Sequence, residues 1–358
     1  MSKKWMSGLL ALTLAGVGLA GCGTTIDQNG NASTGGNADG QKELVISTWG
    51  FSEDFLQESV FQPFEKEHNV KIVLETGNNA ERLNKIRQGS TNVDLIYLSD
   101  YYAQQAIDDD LLEPIDRTQL TNLDQIYDIA KAPNGEKYGP AYTVAQLGIA
   151  YNPALVSGEV TSWSDLWKPE FANNLTMPAI TATAGPMMID AASRVAGNKE
   201  FNEDAAFTQL KQLDPSVVKY YSQTSEYVNM IGQEEIAGGP IMEMYFKDIQ
   251  AAVPGAKFVT PSEGAYAVIN TVNIVKGSDN KELAEEFIDW QLSKDVQEKS
   301  AKAKVDSPVN KDVVLTDEEA QGITYGADII ENLRKLDMEF VNKSMPVWTD
   351  RWNREIGG

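Results

Sequence analysis

The stretch that decides the fold is "NVKIVLETGNNAERLNKIRQGSTNVDLIYLSD", residues 69–100. It opens with β-branched residues in strand-like alternation, continues as a helical pattern from Ala80 to Gln88, and ends in a second apolar strand. Another strand-like segment, "KELVISTWG" (42–50), and a helical region from Ser52 to His68 precede it. This order of strand, helix, strand, helix, strand predicts right-handed crossovers and a mostly parallel sheet with helices on both faces.

Ligands of open α/β sheets bind beyond the carboxyl ends of the strands. The predicted ends are "TWGF" (48–51), "ETGN" (75–78) and "LSDYY" (98–102). Pro63 interrupts the helical region before the second strand, because a proline lacks the backbone donor of a helix interior. We therefore expect a short turn from Glu53 to Glu58 and a helix beginning near Pro63.

The second half of the chain predicts a second lobe. About 315 residues follow residue 42, which exceeds what one hydrophobic core usually holds. Helices and strands continue after residue 148, and the strand pattern returns near residue 266. The prediction is an α/β protein of two lobes: 43–148 plus 266–358 as lobe 1 with the C-terminal helices, and 149–265 as lobe 2.

The amino terminus has the pattern of a secretory signal. Lys3 and Lys4 precede an apolar run from Met6 to Ala20 that is too short to span a bilayer and ends in small residues. "LAGCG" (19–23) resembles a bacterial lipobox, in which the peptide is cut before the cysteine and the thiol carries lipid. We therefore predict a signal peptide over 1–21 and lipidation of Cys22, with a Gly- and Asn-rich flexible tether completing the segment 22–42.

Composition excludes several classes of function. The net charge of −22 argues against binding to nucleic acid or to anionic lipid. Cys22 is the single cysteine and His68 the single histidine, which excludes disulfides, thiolate metal sites and multi-histidine zinc sites. His68 ends a predicted helix, so we expect no catalytic role for it, no metal and no cofactor.

A resemblance covers nearly the whole chain after the tether. The order of "NNAERLNKIRQGSTNVDLIYLSDYY", "YGPAYTVAQLGIAYNP", "VTSWSDLWKPEF" and "DNKELAEEFIDWQLSKDVQEKSA" resembles the spermidine/putrescine-binding proteins of ABC importers. The resemblance implies a periplasmic-binding-protein-like fold of type II, with two α/β lobes joined by hinge crossovers. It also implies a small solute trapped between the lobes and delivered to a membrane permease that an ATPase energises.

The resemblance implies part of a ligand site on lobe 1. Trp49 and Phe51 fall where the family places aromatic rings against the ligand, and Ser99 and Tyr101 fall where a hydroxyl and an aromatic ring face the cleft. An ammonium over an aromatic face gains about 0.5 to 2 kcal/mol. Alternatives remain open: Phe51 and Trp49 as core residues, Tyr101 as a surface residue, and Ser99 or Asp100 as a helix cap.

The resemblance fails on lobe 2. The family's carboxylates would lie within 178–185, which contains no acidic residue, and its tryptophans and aspartate match Met242, Val268 and Asn270. Without those charges a polyammonium ligand loses its main compensation for desolvation.

The residues of lobe 2 that stand near these positions suggest a ligand with other charged groups than a polyamine has. Thr181 and Thr183 precede Pro186, the expected first residue of a helix, and predict an anion site unless Thr183 only caps that helix. Glu243 and Asp306 are the remaining candidates to bind an amine. With Asn270 they complete the predicted ligand-binding residues.

We therefore predict a lipid-anchored, monomeric solute-binding protein on the outer face of the membrane of a single-membrane bacterium. Its partners are a small amine-containing, polyamine-like solute and ABC permease subunits. An opine, amino acid or phosphonate is the alternative ligand. The alternative classes of protein are a surface scaffold or adhesion lipoprotein and a hydrolase that uses Asp54 and Asp100. Hinge motion is expected near 145–151 and 266–274.

Overall fold

A computed structural model describes residues 41–89 and 92–356. Cys22, the predicted signal peptide and all but the last two residues of the predicted tether lie outside these ranges. Within the described ranges, no helix combines the length and the apolar character that crossing a bilayer requires.

The described residues form one mixed sheet of ten strands. Eight of them follow the order β2-β1-β3-β10-β5-β8-β6-β7, with β4 beside β10 and β9 beside β5. The strands are β1 (Lys42–Thr48), β2 (Val70–Thr76), β3 (Leu95–Ser99), β4 (Leu112–Glu113), β5 (Ala141–Tyr151), β6 (Leu175–Pro178), β7 (Val217–Tyr221), β8 (Gly238–Met242), β9 (Lys257–Val259) and β10 (Tyr266–Val275).

The two halves of the sheet are parallel and their junction is antiparallel. Strand β1 pairs in parallel with β2 and β3, and β6 pairs in parallel with β7 and β8. The long strands β5 and β10 lie between the halves and pair antiparallel with each other. The two-lobe α/β prediction is confirmed, with the refinement that β5 and β10 join both parallel halves into one continuous sheet.

Helices cover the sheet, as the alternating pattern predicts. They are α1 (Glu53–Leu56), α2 (Gln62–His68), α3 (Asn79–Arg87), α4 (Asp100–Asp108), α5 (Asp128–Lys131), α6 (Gly185–Val195), α7 (Glu203–Leu213), α8 (Thr224–Gly232), α9 (Phe246–Ala252), α10 (Lys281–Leu292), α11 (Lys294–Lys302), α12 (Asp317–Ala320), α13 (Ala327–Ile330) and α14 (Met338–Glu355).

A helix does begin near Pro63, since α2 starts at Gln62, but the segment expected to be a turn from Glu53 to Glu58 is helical. Residues 57–61 form a π-helical segment that joins α1 to α2 without interruption. Pro63 lies in the first turn of α2, directly after this wider turn. A π-type turn shifts the hydrogen-bond pattern locally, so the donor that proline lacks does not end the helix.

Two large apolar cores lie on the two sides of β5 and β10. Leu44, Ile46 and Phe287 belong to one core, and Met177 and Phe207 belong to the other. The buried tryptophans of α14, Trp348 and Trp352, pack into the second core.

Helix α14 also contacts the first lobe through α4. The side-chain amide of Asn342 donates a hydrogen bond to the backbone oxygen of Tyr101, at 3.1 Å. The lobe boundaries stay a prediction, and α14 contacts elements on both sides of the predicted division.

Candidate functional site

A cavity of about 780 Å³ opens between the two halves of the sheet. Its walls come from segments that directly follow the carboxyl ends of parallel strands. Trp49 follows β1, Ser99 ends β3, Ile180 follows β6, Ser222 follows β7 and Met242 ends β8. This is the place where open α/β sheets bind ligands, and both lobes contribute to it.

Most of the predicted ligand-binding residues line this cavity. They are Trp49, Phe51, Ser99, Tyr101, Thr181, Thr183 and Asn270. Met242 and Val268, which occupy positions of family tryptophans, line it as well. The fold therefore brings these predicted segments to one cavity, although they are separated by more than 200 positions along the chain, and their role in binding stays a prediction.

Trp49 has an aromatic environment with a cation on its ring. Tyr97 meets it edge-on at a centroid distance of 6.1 Å, and Tyr142 lies at 6.4 Å. The guanidinium carbon of Arg82 lies 4.5 Å from the Trp49 ring centroid, in cation–π geometry. Phe51 is 37% exposed and lies 6.4 Å from Trp49, so it is a cavity residue and the alternative of a core residue is not supported.

Arg82 is a fully buried cation that sequence reasoning missed. Its guanidinium donates hydrogen bonds to the backbone oxygens of Ser47 at 3.1 Å, Gly77 at 2.9 Å and Tyr97. It also donates to the side-chain oxygen of Asn79, at 3.3 Å. Burial lowers the pKa of Arg82 to about 10, so the side chain stays charged at neutral pH. Its neighbouring carbonyls come from distant strands, and no local spacing signals them.

Ser99 is only 3% exposed, and its hydroxyl has no hydrogen-bond partner among the described residues. It holds the N-cap position of α4 by backbone conformation, but its side chain makes no capping bond. The carboxylate of Asp100 instead accepts a hydrogen bond from the Tyr101 amide at 2.9 Å. Of the two predicted cap residues, Asp100 is the one that bonds, whereas the Ser99 hydroxyl and the second carboxylate oxygen of Asp100 are buried without a partner among the described residues.

Thr183 does not cap the helix that follows it. Helix α6 begins at Gly185, Ala184 is its N-cap residue, and no side chain makes a capping bond there. The prediction that Pro186 is the first helical residue is off by one position. Thr181 is exposed and Thr183 partly exposed, and both line the cavity.

Glu243 and Asp306, in contrast to the prediction, do not line this cavity. The carboxylate of Glu243 accepts hydrogen bonds from Gln146 at 2.8 Å and Thr324 at 2.7 Å, which hold it behind the cavity wall. Burial raises the pKa of the Asp306 carboxyl to about 7.

Asn270 lines the cavity from β10. It is partly exposed, whereas the residues on both sides of it in β10 are buried. It pairs with Ser99 of β3 and with Thr143 of β5, directly before a shift in register at Thr271. The bulge lets a polar side chain face the cleft from a strand whose other residues form the core.

The ends of four longer helices face the cavity. Asn79, Tyr101, Pro186 and Ser225 line it from the first turns of α3, α4, α6 and α8, each of which has at least nine residues. The positive ends of helix dipoles therefore converge on the cleft.

A cleft of this size between two α/β lobes is the kind of concave site that binds a small solute. A family model described as "Bacterial extracellular solute-binding protein" matches residues 90–332. The chain belongs to this family, and it is the extracytoplasmic solute-binding component of an ABC transporter, a binding role and not a catalytic one.

Named relatives agree with this assignment. The putrescine-binding periplasmic protein PotF of Escherichia coli is 28% identical over 324 residues, covering 83% of this chain and 81% of the relative. The spermidine/putrescine-binding periplasmic protein of the same organism is 26% identical over 309 residues, covering 84% and 82%. The crystal structure of an ABC transporter protein from Clostridium perfringens is 43% identical, with a TM-score of 0.82, covering 88% of this chain and 100% of that one.

Proposed function

We propose that this protein captures one small solute in the cleft and delivers it to permease subunits by closing its lobes. The cavity of about 780 Å³, lined from both halves of the sheet, carries the proposal. Pockets of this size enclose most of the surface of a small ligand. Closure is expected at β5 and β10, the long strands that continue from one half into the other.

Two ligand chemistries are compatible with this role. The names of the relatives support an amine-containing, polyamine-like solute. The lining supports an opine, amino acid or phosphonate, since Met242, Val268 and Asn270 stand where the resemblance implies tryptophans and an aspartate. Among the described residues the exposed large hydrophobic side chains come from separate segments of the chain, which gives no support to a scaffold.

Binding and closure are measured on the purified protein. Thermal melts and small-angle scattering are recorded with putrescine, spermidine, glutamate and 2-aminoethylphosphonate, and with any compound that co-purifies and is identified by mass spectrometry. A bound solute is expected to raise the melting temperature by a few degrees and to lower the radius of gyration. A protein that neither melts later nor becomes more compact with any of them contradicts the proposal.

We also propose that lipid on Cys22 holds a monomer at the outer face of the membrane. The support is the sequence "LAGCG" and the tether after it. Cys22→Ser is expected to move the protein from the membrane fraction to the medium. Equal retention of both proteins in the membrane fraction contradicts the anchor, and elution of the purified protein as a dimer contradicts the monomer.

A further inference from the structure

We propose that the solute bound by this cleft carries a negatively charged group, a carboxylate, phosphate or phosphonate, that lies against Ser99. The inference rests on the proposed function, because it names the chemical class of the solute that the same cleft takes. It departs from the polyamines for which the relatives are named.

The first observation is the Ser99 hydroxyl. It is a buried polar atom without a partner among the described residues, in a residue that lines the cavity. Leaving such a group unpaired costs about 1 to 3 kcal/mol, so a ligand oxygen that accepts from this hydroxyl would be stabilised. A hydroxyl donates its proton to an anionic oxygen, and the N-terminus of α4, whose Tyr101 amide bonds Asp100, favours the same charge.

The second observation is the buried cation of Arg82, which lies close to Ser99. Arg82 has hydrogen bonds to Asn79, and the Asn79 side chain accepts one from the Ser99 amide at 3.2 Å. The positive charge therefore lies close behind both the hydroxyl and the amide of Ser99. In the described residues the hydrogen-bond acceptors of the Arg82 guanidinium are backbone and amide oxygens, and no carboxylate forms an ion pair with it.

The third observation is the charge of the remaining lining. Of the described residues that line the cavity, Lys247 and Lys304 are cationic and Asp248 alone is acidic. Asp248 and Lys247 are both exposed and adjacent in the chain, so their charges largely offset each other. In the described lining, cationic side chains therefore exceed carboxylates by one, although the whole chain has a net charge of −22.

The same geometry disfavours a polycation. One face of Trp49 already has the Arg82 guanidinium at 4.5 Å, so an ammonium on this ring would lie near a like charge. A diamine would also meet the positive ends of four helices, of which α6 has no acidic residue in its first turn, and Asp248 is the one carboxylate on the described lining. A zwitterion with its ammonium directed toward Asp248 avoids both problems.

The test compares anionic and cationic probes on the wild-type protein by calorimetry. The anionic probes are inorganic phosphate, 2-aminoethylphosphonate and glutamate, which separate phosphate, phosphonate and carboxylate sources. The cationic probes are putrescine and spermidine, and a compound that co-purifies is added once mass spectrometry has identified it. The expected result is that the tightest ligand carries a negative group.

Two variants locate the charged group. Ser99→Ala is expected to weaken the anionic ligand about tenfold, because it removes one hydrogen bond to a charged group. Ser99→Asp is expected to weaken it further, by about a hundredfold or more, since it places a like charge at the contact while keeping a residue favourable at an N-cap. Ser157→Ala, at an exposed serine that does not line the cavity, is the control and is expected to change binding less than twofold.

The outcomes separate this inference from the function on which it rests. Tight binding of putrescine or spermidine with no anionic ligand overturns the inference and leaves the solute-binding role standing. Anion binding that Ser99→Asp does not weaken also overturns it. Failure of every probe, with no co-purifying compound, overturns the proposed function and this inference together.

Discussion

The guanidinium carbon of Arg82 lies 4.5 Å from the centroid of the Trp49 ring, and the same guanidinium group links three strands of the sheet. Its hydrogen bonds reach Ser47 in β1, Gly77 after β2 and Tyr97 in β3. One buried cation therefore stabilises the strand ends that form this wall of the cleft.

Arg82→Met is expected to lower the free energy of unfolding by about 3 kcal/mol or more, because it leaves buried carbonyl oxygens without donors. Urea denaturation followed by circular dichroism measures the change. Arg117→Met removes the same charge from a partly exposed residue away from the cavity and is expected to cost less than about 1 kcal/mol. Equal losses in both variants would show that Arg82 does not stabilise this wall of the cleft.

Asp306 predicts a pH dependence of stability. Burial raises the pKa of its carboxyl from 3.8 to about 7, so the folded protein binds this proton more tightly than the unfolded chain. The free energy of unfolding therefore falls as the pH rises from about 4 to 7, and the full penalty remains above that window. Asp306→Asn is expected to stabilise by about 1 to 3 kcal/mol at pH 8, with little effect near pH 4.

The measurement is urea denaturation of wild type and Asp306→Asn at both pH values. Asp312→Asn, at an exposed aspartate in the same segment, is the control and should change stability equally little at each pH. Asp100 also has a pKa raised by burial to about 7, and it contributes the same background to all three proteins. A gain in Asp306→Asn that is as large at pH 4 as at pH 8 contradicts the assignment.

The contacts of Arg351 attach α14 to the second lobe. It stacks on Phe207 at 4.5 Å and forms ion pairs with Glu203 at 3.2 Å and Asp204 at 2.8 Å. Arg351→Met is expected to lower the free energy of unfolding by about 1 to 2 kcal/mol, because the Arg351 side chain is only 16% exposed and packs on Phe207.

Arg354 is the matched control on the same helix. Its ion pair with Asp350 is exposed on both sides, at 65% and 71%, so Arg354→Met is expected to cost less than about 0.5 kcal/mol. Thermal unfolding of the two variants distinguishes them. Indistinguishable melting temperatures would show that the Arg351 contacts do not attach the helix.

The backbone before α6 leaves no room for a side chain at Gly185. A Cβ on Gly185 would lie 2.4 Å from the Ile180 oxygen and 2.6 Å from the Ala179 oxygen. Gly185→Ala must displace the lining segment 180–184 and is expected to cost about 1 to 3 kcal/mol of stability. Ligand binding should weaken as well, as calorimetry measures.

Gly255 is the corresponding control, since a Cβ there meets no atom within 4 Å. Gly255→Ala is expected to change both stability and binding very little. Unchanged ligand binding in Gly185→Ala would show that the segment from Ile180 to Ala184 does not shape the site.

The sequence by itself determined the order of elements and the segments that form the cleft. Strand alternation and helical spacing are local, so residues 69–100 already predicted β2, α3 and β3. Together with the strand pattern of residues 42–50, they also predicted that the strand ends near Trp49 and Ser99 would line one site. The π-helical segment 57–61 escaped prediction, because a proline within a helical pattern has the same local signal whether the helix breaks or widens.

Only the tertiary structure decided the charge of the site. Arg82 looks like an ordinary surface residue of an amphipathic helix until the carbonyls of Ser47, Gly77 and Tyr97 surround it. Glu243 looks like a ligand for an amine until Gln146 and Thr324 take its carboxylate. Periodicity depends on neighbours in the chain, whereas burial and hydrogen bonding of a charge depend on residues that the fold brings from far away.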